Sequence, residues 1–201
     1  MSSQFSKELC QFVIRNNAAL EGGVFDAIGK TVFKAMNARV EKRLKAAGGW
    51  KGKYQLVSGE ADETLFAPSA WPEDRDGRYR ACYKLNVIDG DKNYFWMSCA
   101  LGANGVKMCL QFWVHGGLGG RSKSEIGGKL VGVAATGAVK EVGMIQGEEN
   151  VLNLPFVFDA ETLASEFPAV DKTLAPLDAA LDKLLKVHPQ LDAAVRELAK
   201  M

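Results

Sequence analysis

Apolar residues recur along this chain with two periods, near 3.6 at both ends and near 2 through the middle. Phe5, Leu9, Phe12 and Val13 stand at helical spacing until the pair Gly22-Gly23 interrupts them. Phe25, Ile28, Val32, Phe33, Met36, Val40 and Leu44 then form one stripe, which predicts a longer helix stopped by Gly48-Gly49. WKGKYQLV predicts a short strand. Residues 58–77 predict a loop that carries Pro68, Pro72 and the turn-like run EDRDG.

Strict alternation begins near residue 78. RYRACYKLNVI places Tyr79, Ala81, Tyr83, Leu85 and Val87 on one side. NYFWMSCAL does the same with Phe95, Met97, Cys99 and Leu101, and VKMCLQFWV with Val106, Met108, Leu110, Phe112 and Val114. Period-2 patterning predicts three strands. Asn104-Gly105 is a strong signal for a two-residue hairpin turn, which would pair Leu101 with Met108, Cys99 with Leu110 and Met97 with Phe112. A three-residue loop at Gly90-Asp91-Lys92 would set Val87 opposite Phe95. The expectation is a three-stranded antiparallel meander over 78–115.

Beyond it, 116–147 is rich in glycine, and 129–146 fits either a short hairpin or a glycine-interrupted helix. VLNLPFVF predicts a strand that Pro155 confines to an edge or an end. Asp159 predicts a helix N-cap, followed by ETLASEF and by helices over 174–187 and 191–200, with a break at His188-Pro189. Together these elements predict one α+β domain over 1–201, in which an antiparallel β-meander sheet packs against N-terminal and C-terminal helices. Residues 1–49 are helical, 50–158 mainly sheet, and 159–201 helical.

Composition narrows the function classes. Lys+Arg 25 against Asp+Glu 24 leaves a net charge of +1, which argues against a duplex-DNA binder held by phosphate contacts. A local basic patch remains open. Lys30, Lys34, Arg39, Lys42, Arg43 and Lys45 line one helix face, and Glu41 is the only acidic residue between Lys30 and Lys53. That set suits a solvated face or an acidic partner. No apolar run is long enough to span a bilayer, and the first residues carry no secretory h-region, so no membrane partner and a cytoplasmic address are expected. Cys10, Cys82, Cys99 and Cys109 are irregularly spaced. With no C-x-x-C pair and no zinc spacing to His115, they predict reduced, buried thiols and no metal site.

The candidate chemistry is thin. Gly117, Lys123 and Ser124 fit three positions of a phosphate-binding loop, but Ser122 stands where the second glycine belongs, and the preceding strand closes an antiparallel hairpin. What survives is anion binding by Arg121 and Lys123. HGGLGG resembles the backbone-donor loop of an esterase, yet no G-x-S-x-G elbow accompanies it. Cys109 and His115 share a strand face but stand about 20 Å apart along an extended strand, too far for a nucleophile and its base. No catalytic residue and no cofactor are expected from these patterns.

The second face of the meander is the remaining candidate. The expected register places Trp96 opposite Trp113, Tyr94 opposite His115 and Ser98 opposite Gln111, with Asn86, Lys84 and Arg80 alongside. Trp96, Trp113, Tyr94, His115, Lys84, Arg80 and Gln111 mix rings, cations and amides, as interaction hot spots and base-stacking platforms do. The first expectation is a non-enzymatic interaction or inhibitor-type protein with another protein as partner. The alternative is a domain that binds single-stranded nucleic acid or a nucleotide. A third is a metal-dependent enzyme using Glu60, Asp62 and Glu63 in the acidic loop.

Overall fold

A computed structural model describes residues 11–12, 14–16, 18, 20–56, 64–88, 96–147 and 150–200. Gly22-Gly23 fall in a π-helical turn, Leu20–Val24, which runs into helix α1, Phe25–Ala47. The stripe read from the sequence is the buried face of α1, with Val32, Phe33, Met36, Val40 and Leu44 all in the core. The helix stops where expected: Gly48 N–H donates to the Leu44 and Lys45 carbonyls at 3.1 and 3.2 Å.

Among the described residues, six strands form one antiparallel sheet in the order β1-β2-β3-β4-β6-β5. They are β1 Trp50–Tyr54, β2 Thr64–Pro68, β3 Ala81–Ile88, β4 Lys107–Val114, β5 Ile145–Gln146 and β6 Val151–Phe156. The first four are consecutive neighbours, so the fold is an α+β meander sheet with helices from both ends of the chain. Pro155 sits near the end of β6, beyond the two residues that β5 pairs, so its missing N–H interrupts no bond to β5.

The membership of the meander differs from the reading over 78–115. The middle run is not a strand: its described part folds as a five-residue helix, α2, Trp96–Ala100. β3 pairs directly with β4, joining Ala81 to Val114, Tyr83 to Phe112 and Leu85 to Leu110. The other side of β4 is taken by β6. Both edges of β4 are therefore filled, and no slot remains for Met97 or Cys99. Asn104-Gly105 lies in a 3-10 turn, Ala103–Gly105, that leads into β4 instead of closing a hairpin. Tyr94, Phe95 and the expected turn at 90–92 lie outside the described residues.

Two further elements, β2 and the last helix, depart from the sequence reading, and over 129–146 the helical alternative is the one that forms. β2 lies inside the stretch read as a loop, held by five pairs with β1 and by burial of Phe66 and Ala67. Part of the glycine-rich segment is a firm helix, α3, Lys123–Ala134, followed by α4, Gly137–Glu141, before the short hairpin of β5 and β6. A capping box starts α3, with the Ser122 hydroxyl accepting from Glu125 N–H and Glu125 accepting from Ser122 N–H, while Ile126, Leu130 and Val133 are buried. Asp159 caps α5, Ala160–Glu166, as expected. The break at His188-Pro189 is absent: α6, Ala175–Ala199, runs through Pro189. Leu177, Leu181, Leu184, Val187, Leu191, Val195 and Leu198 bury one continuous stripe across the proline, and that packing outweighs the lost hydrogen bond.

The core lies between one face of the sheet and helices α1, α3 and α6. No helix of the described residues is long and apolar enough to cross a membrane.

Candidate functional site

Alternation sends every second side chain of β3, β4 and β6 away from the helices. Ala81, Tyr83 and Leu85 of β3 and Met108, Leu110, Phe112 and Val114 of β4 belong to the core. Their neighbours Lys84, Asn86, Gln111 and Trp113 form a second, polar face, joined on β6 by Asn153. A row of amides crosses three strands there. Asn86 Nδ2 donates to Gln111 Oε1 at 3.1 Å, and Gln111 Nε2 donates to Asn153 Oδ1 at 3.1 Å.

This row floors a cleft of about 560 Å³, lined also by Trp113, His115 and Lys123. The Lys84 ammonium lies 4.8 Å from the centre of the Trp113 ring, and His115 meets Trp113 edge-on at 5.5 Å. Arg80 Nη1 lies 3.1 Å from His115 Nδ1. A guanidinium only donates, so Nδ1 accepts and the ring proton sits on Nε2. No carboxylate lines the cleft among the described residues. The buried Cys109 thiol donates to Asn153 Oδ1, and burial pushes its pKa up to about 12, which leaves it a poor nucleophile. Cys109 and His115 thus have separate partners, as their strand spacing implied.

Five of the seven residues expected on the partner-binding face come together: Trp113, His115, Lys84, Arg80 and Gln111. Trp96 does not join them. It sits on α2 with its ring 5.1 Å from Phe33 of α1, on the helix side of the sheet, so the expected Trp96–Trp113 pair does not form. Tyr94 lies outside the described residues, as do Glu60, Asp62 and Glu63 of the acidic loop. The described residues hold no cluster of three or more metal-ligating groups. Cys82, Cys99 and Cys109 are buried, as expected.

The basic residues also separate. Lys123 lines the cleft, whereas Arg121 turns away and donates to the Leu198 carbonyl at 3.3 Å. On α1, Arg39 pairs with Asp171 at 2.8 Å and with Asp178 at 2.6 Å, Arg43 pairs with Asp182, and Lys45 pairs with Glu41. Much of the basic helix face is therefore answered from within the chain, chiefly by the start of α6.

Two features were missed from the sequence. Asn153 is the end of the amide row, and its signal was a lone amide inside the apolar run VLNLP. His188, read as a boundary residue, packs into an aromatic cluster with Trp50, Trp71 and Tyr83, and its Nδ1 lies 2.9 Å from the Tyr83 hydroxyl. Asp192, one turn on, accepts from Trp71 Nε1 at 2.8 Å. This cluster is core packing between sheet and α6, apart from the cleft. No protein-family model, no curated protein and no solved structure matches the chain.

Proposed function

We propose that this protein is a binding module for a nucleotide, free or as a unit of a single strand, held in the cleft on the polar face of its sheet. The observation that carries the reading is the lining: a tryptophan ring, three linked amides, His115 and Lys123, with no carboxylate among the described residues. A volume of about 560 Å³ falls in the range of small-ligand pockets. The Trp113 ring offers a stacking surface, the amides offer hydrogen bonds to a base edge, and the cations favour an anion. The competing expectation of a protein partner rested largely on a Trp96–Trp113 hot spot. With Trp96 packed against Phe33, what remains is concave and polar, which suits a small polar ligand better than a protein anchor.

Isothermal titration with adenosine monophosphate and fluorescence anisotropy with a labelled oligothymidylate test the reading and separate its two ligand sources. Binding should weaken with added salt. Trp113→Ala should weaken it roughly 10-fold or more, since stacking of one base is worth ~1–3 kcal/mol. Absence of binding by mononucleotide and strand alike would overturn the proposal.

A further inference from the structure

Among the described residues the sheet has two edge strands of unequal length. β5 offers two residues, whereas β1 offers five, Trp50–Tyr54. The pairing of β1 settles which of its backbone groups point outward. Ser69 N–H donates to the Gly49 carbonyl at 2.8 Å, in register with the pairs of Lys51 with Ala67 and Lys53 with Leu65. Hydrogen-bonded pairs alternate along an antiparallel ladder, so Gly49, Lys51 and Lys53 address β2, while Trp50, Gly52 and Tyr54 turn their N–H and C=O groups outward. Leu56, next in the outward series, is answered from within. Its N–H donates to the Thr64 hydroxyl at 3.2 Å, and its carbonyl accepts from Asn37 Nδ2 at 3.0 Å. The outward groups of Trp50, Gly52 and Tyr54 have no partner among the described residues.

Charge decides what can add there. A second copy pairing antiparallel about Gly52 would set Lys51 opposite Lys53 twice, and like charges directly opposite one another destabilise a strand pair. Lys51 is answered by Glu73 at 2.6 Å, but Lys53 is exposed and has no ion pair among the described residues. Where β1 ends, Tyr54, Gln55 and Leu56 share a cleft of about 570 Å³ with Lys30, Lys34 and Glu41 of α1. Glu41 is taken by Lys45 at 2.7 Å, whereas Lys30 and Lys34 are exposed and without ion pairs among the described residues. Two cations of α1 that the chain does not answer itself therefore stand beside the end of this edge.

We propose that β1 is a docking edge for an acidic, extended segment of a partner protein, which adds to the sheet as a further strand. Main-chain bonds to Trp50, Gly52 and Tyr54 hold the segment, and its carboxylates meet Lys53 and, past Tyr54, Lys30 and Lys34. The Asn37 amide ties the end of β1 to α1, so the edge is in place before the segment arrives. This surface lies apart from the cleft floored by β3, β4 and β6 and does not depend on the nucleotide reading.

The test is fluorescence anisotropy of the full chain with a labelled peptide of four glutamate–valine repeats, joined to amide hydrogen exchange followed by NMR. The expected result is binding that weakens with added salt and slows exchange at the Trp50, Gly52 and Tyr54 amides. Lys53→Glu, and Lys30→Glu combined with Lys34→Glu, change exposed positions and should each weaken binding about 5-fold or more. With the glutamates across from Lys51 and Lys53, the valine N–H groups face β1. N-methylation of the valines should therefore weaken binding about 10-fold or more, and N-methylation of the glutamates should be tolerated. No binding, binding without protection of those three amides, or equal binding of the two N-methylated peptides overturns the proposal. A wild-type dimer that protects the same amides without peptide overturns the choice of an acidic segment in favour of a second copy.

Discussion

Gly119→Ala should destabilise the fold far more than Gly120→Ala, one residue along the same turn. Both glycines have positive φ, +60° and +74°, so alanine at either position costs about 1–2 kcal/mol in backbone conformation alone. They differ in what a side chain would meet. At Gly120 nothing lies within 4 Å of an added Cβ. At Gly119 the added Cβ would collide with the Leu198 carbonyl oxygen, a backbone atom at the end of α6. That carbonyl also accepts from Arg121 Nε at 3.3 Å, so moving it sacrifices a charged hydrogen bond worth about 1.5–3 kcal/mol. The two terms give a total of about 2.5–5 kcal/mol for Gly119→Ala against about 1–2 kcal/mol for Gly120→Ala. In a protein of this size the difference of about 2 kcal/mol corresponds to roughly 4–8 °C in Tm. Paired thermal melts measure it directly. Equal losses in the two variants would refute the docking of this turn against α6, and with it the structural account of the HGGLGG run.

Two further outcomes follow from the core and the α1–α6 contact. Burial holds His188 below its ordinary value of 6.5, with Asp192 opposing the shift and Arg196 adding to it. The unfolded chain therefore takes up this proton more readily, so stability is fully present above pH 6.5 and declines as pH falls toward the folded value. Urea midpoints at several pH values should show that decline, and His188→Gln should remove part of it; an unchanged slope in the variant would count against the assignment. For Arg39 and Asp178, both about two-thirds buried, a double-mutant cycle to alanine should give a coupling of about 0.5–1 kcal/mol that shrinks with added salt. Zero coupling at low salt would mean that this ion pair adds nothing to the α1–α6 contact.

The long amphipathic helix was legible because its period repeats over six turns and its stop signal, Gly48-Gly49, directly follows the last apolar residue. The strands at 81–88 and 107–114 were legible for the same kind of reason, as eight-residue alternations. The run at 96–100 was not, because over five residues an alternation of apolar side chains reads equally well as one turn of buried helix. β2 is as short and ends in proline. His188-Pro189 carried a true local signal for a break, and the tertiary stripe of α6 overrode it. In the site, parity placed Lys84, Gln111, Trp113 and His115 on one face, whereas the partners brought to that face depended on which strand lay beside β4.

By itself, then, the amino-acid sequence determined the periods: which segments are helices or strands when long, and which face each of their side chains takes. Those are local consequences of backbone geometry, and a few consecutive residues suffice to express them. Strand neighbourship was decided only in the tertiary structure. Pairing β4 with β3 and β6 is a competition between segments up to 75 residues apart, settled by whose apolar face completes the core. That competition put Asn153 beside Gln111 and sent Trp96 to the other side of the sheet, and so it made the cleft what it is.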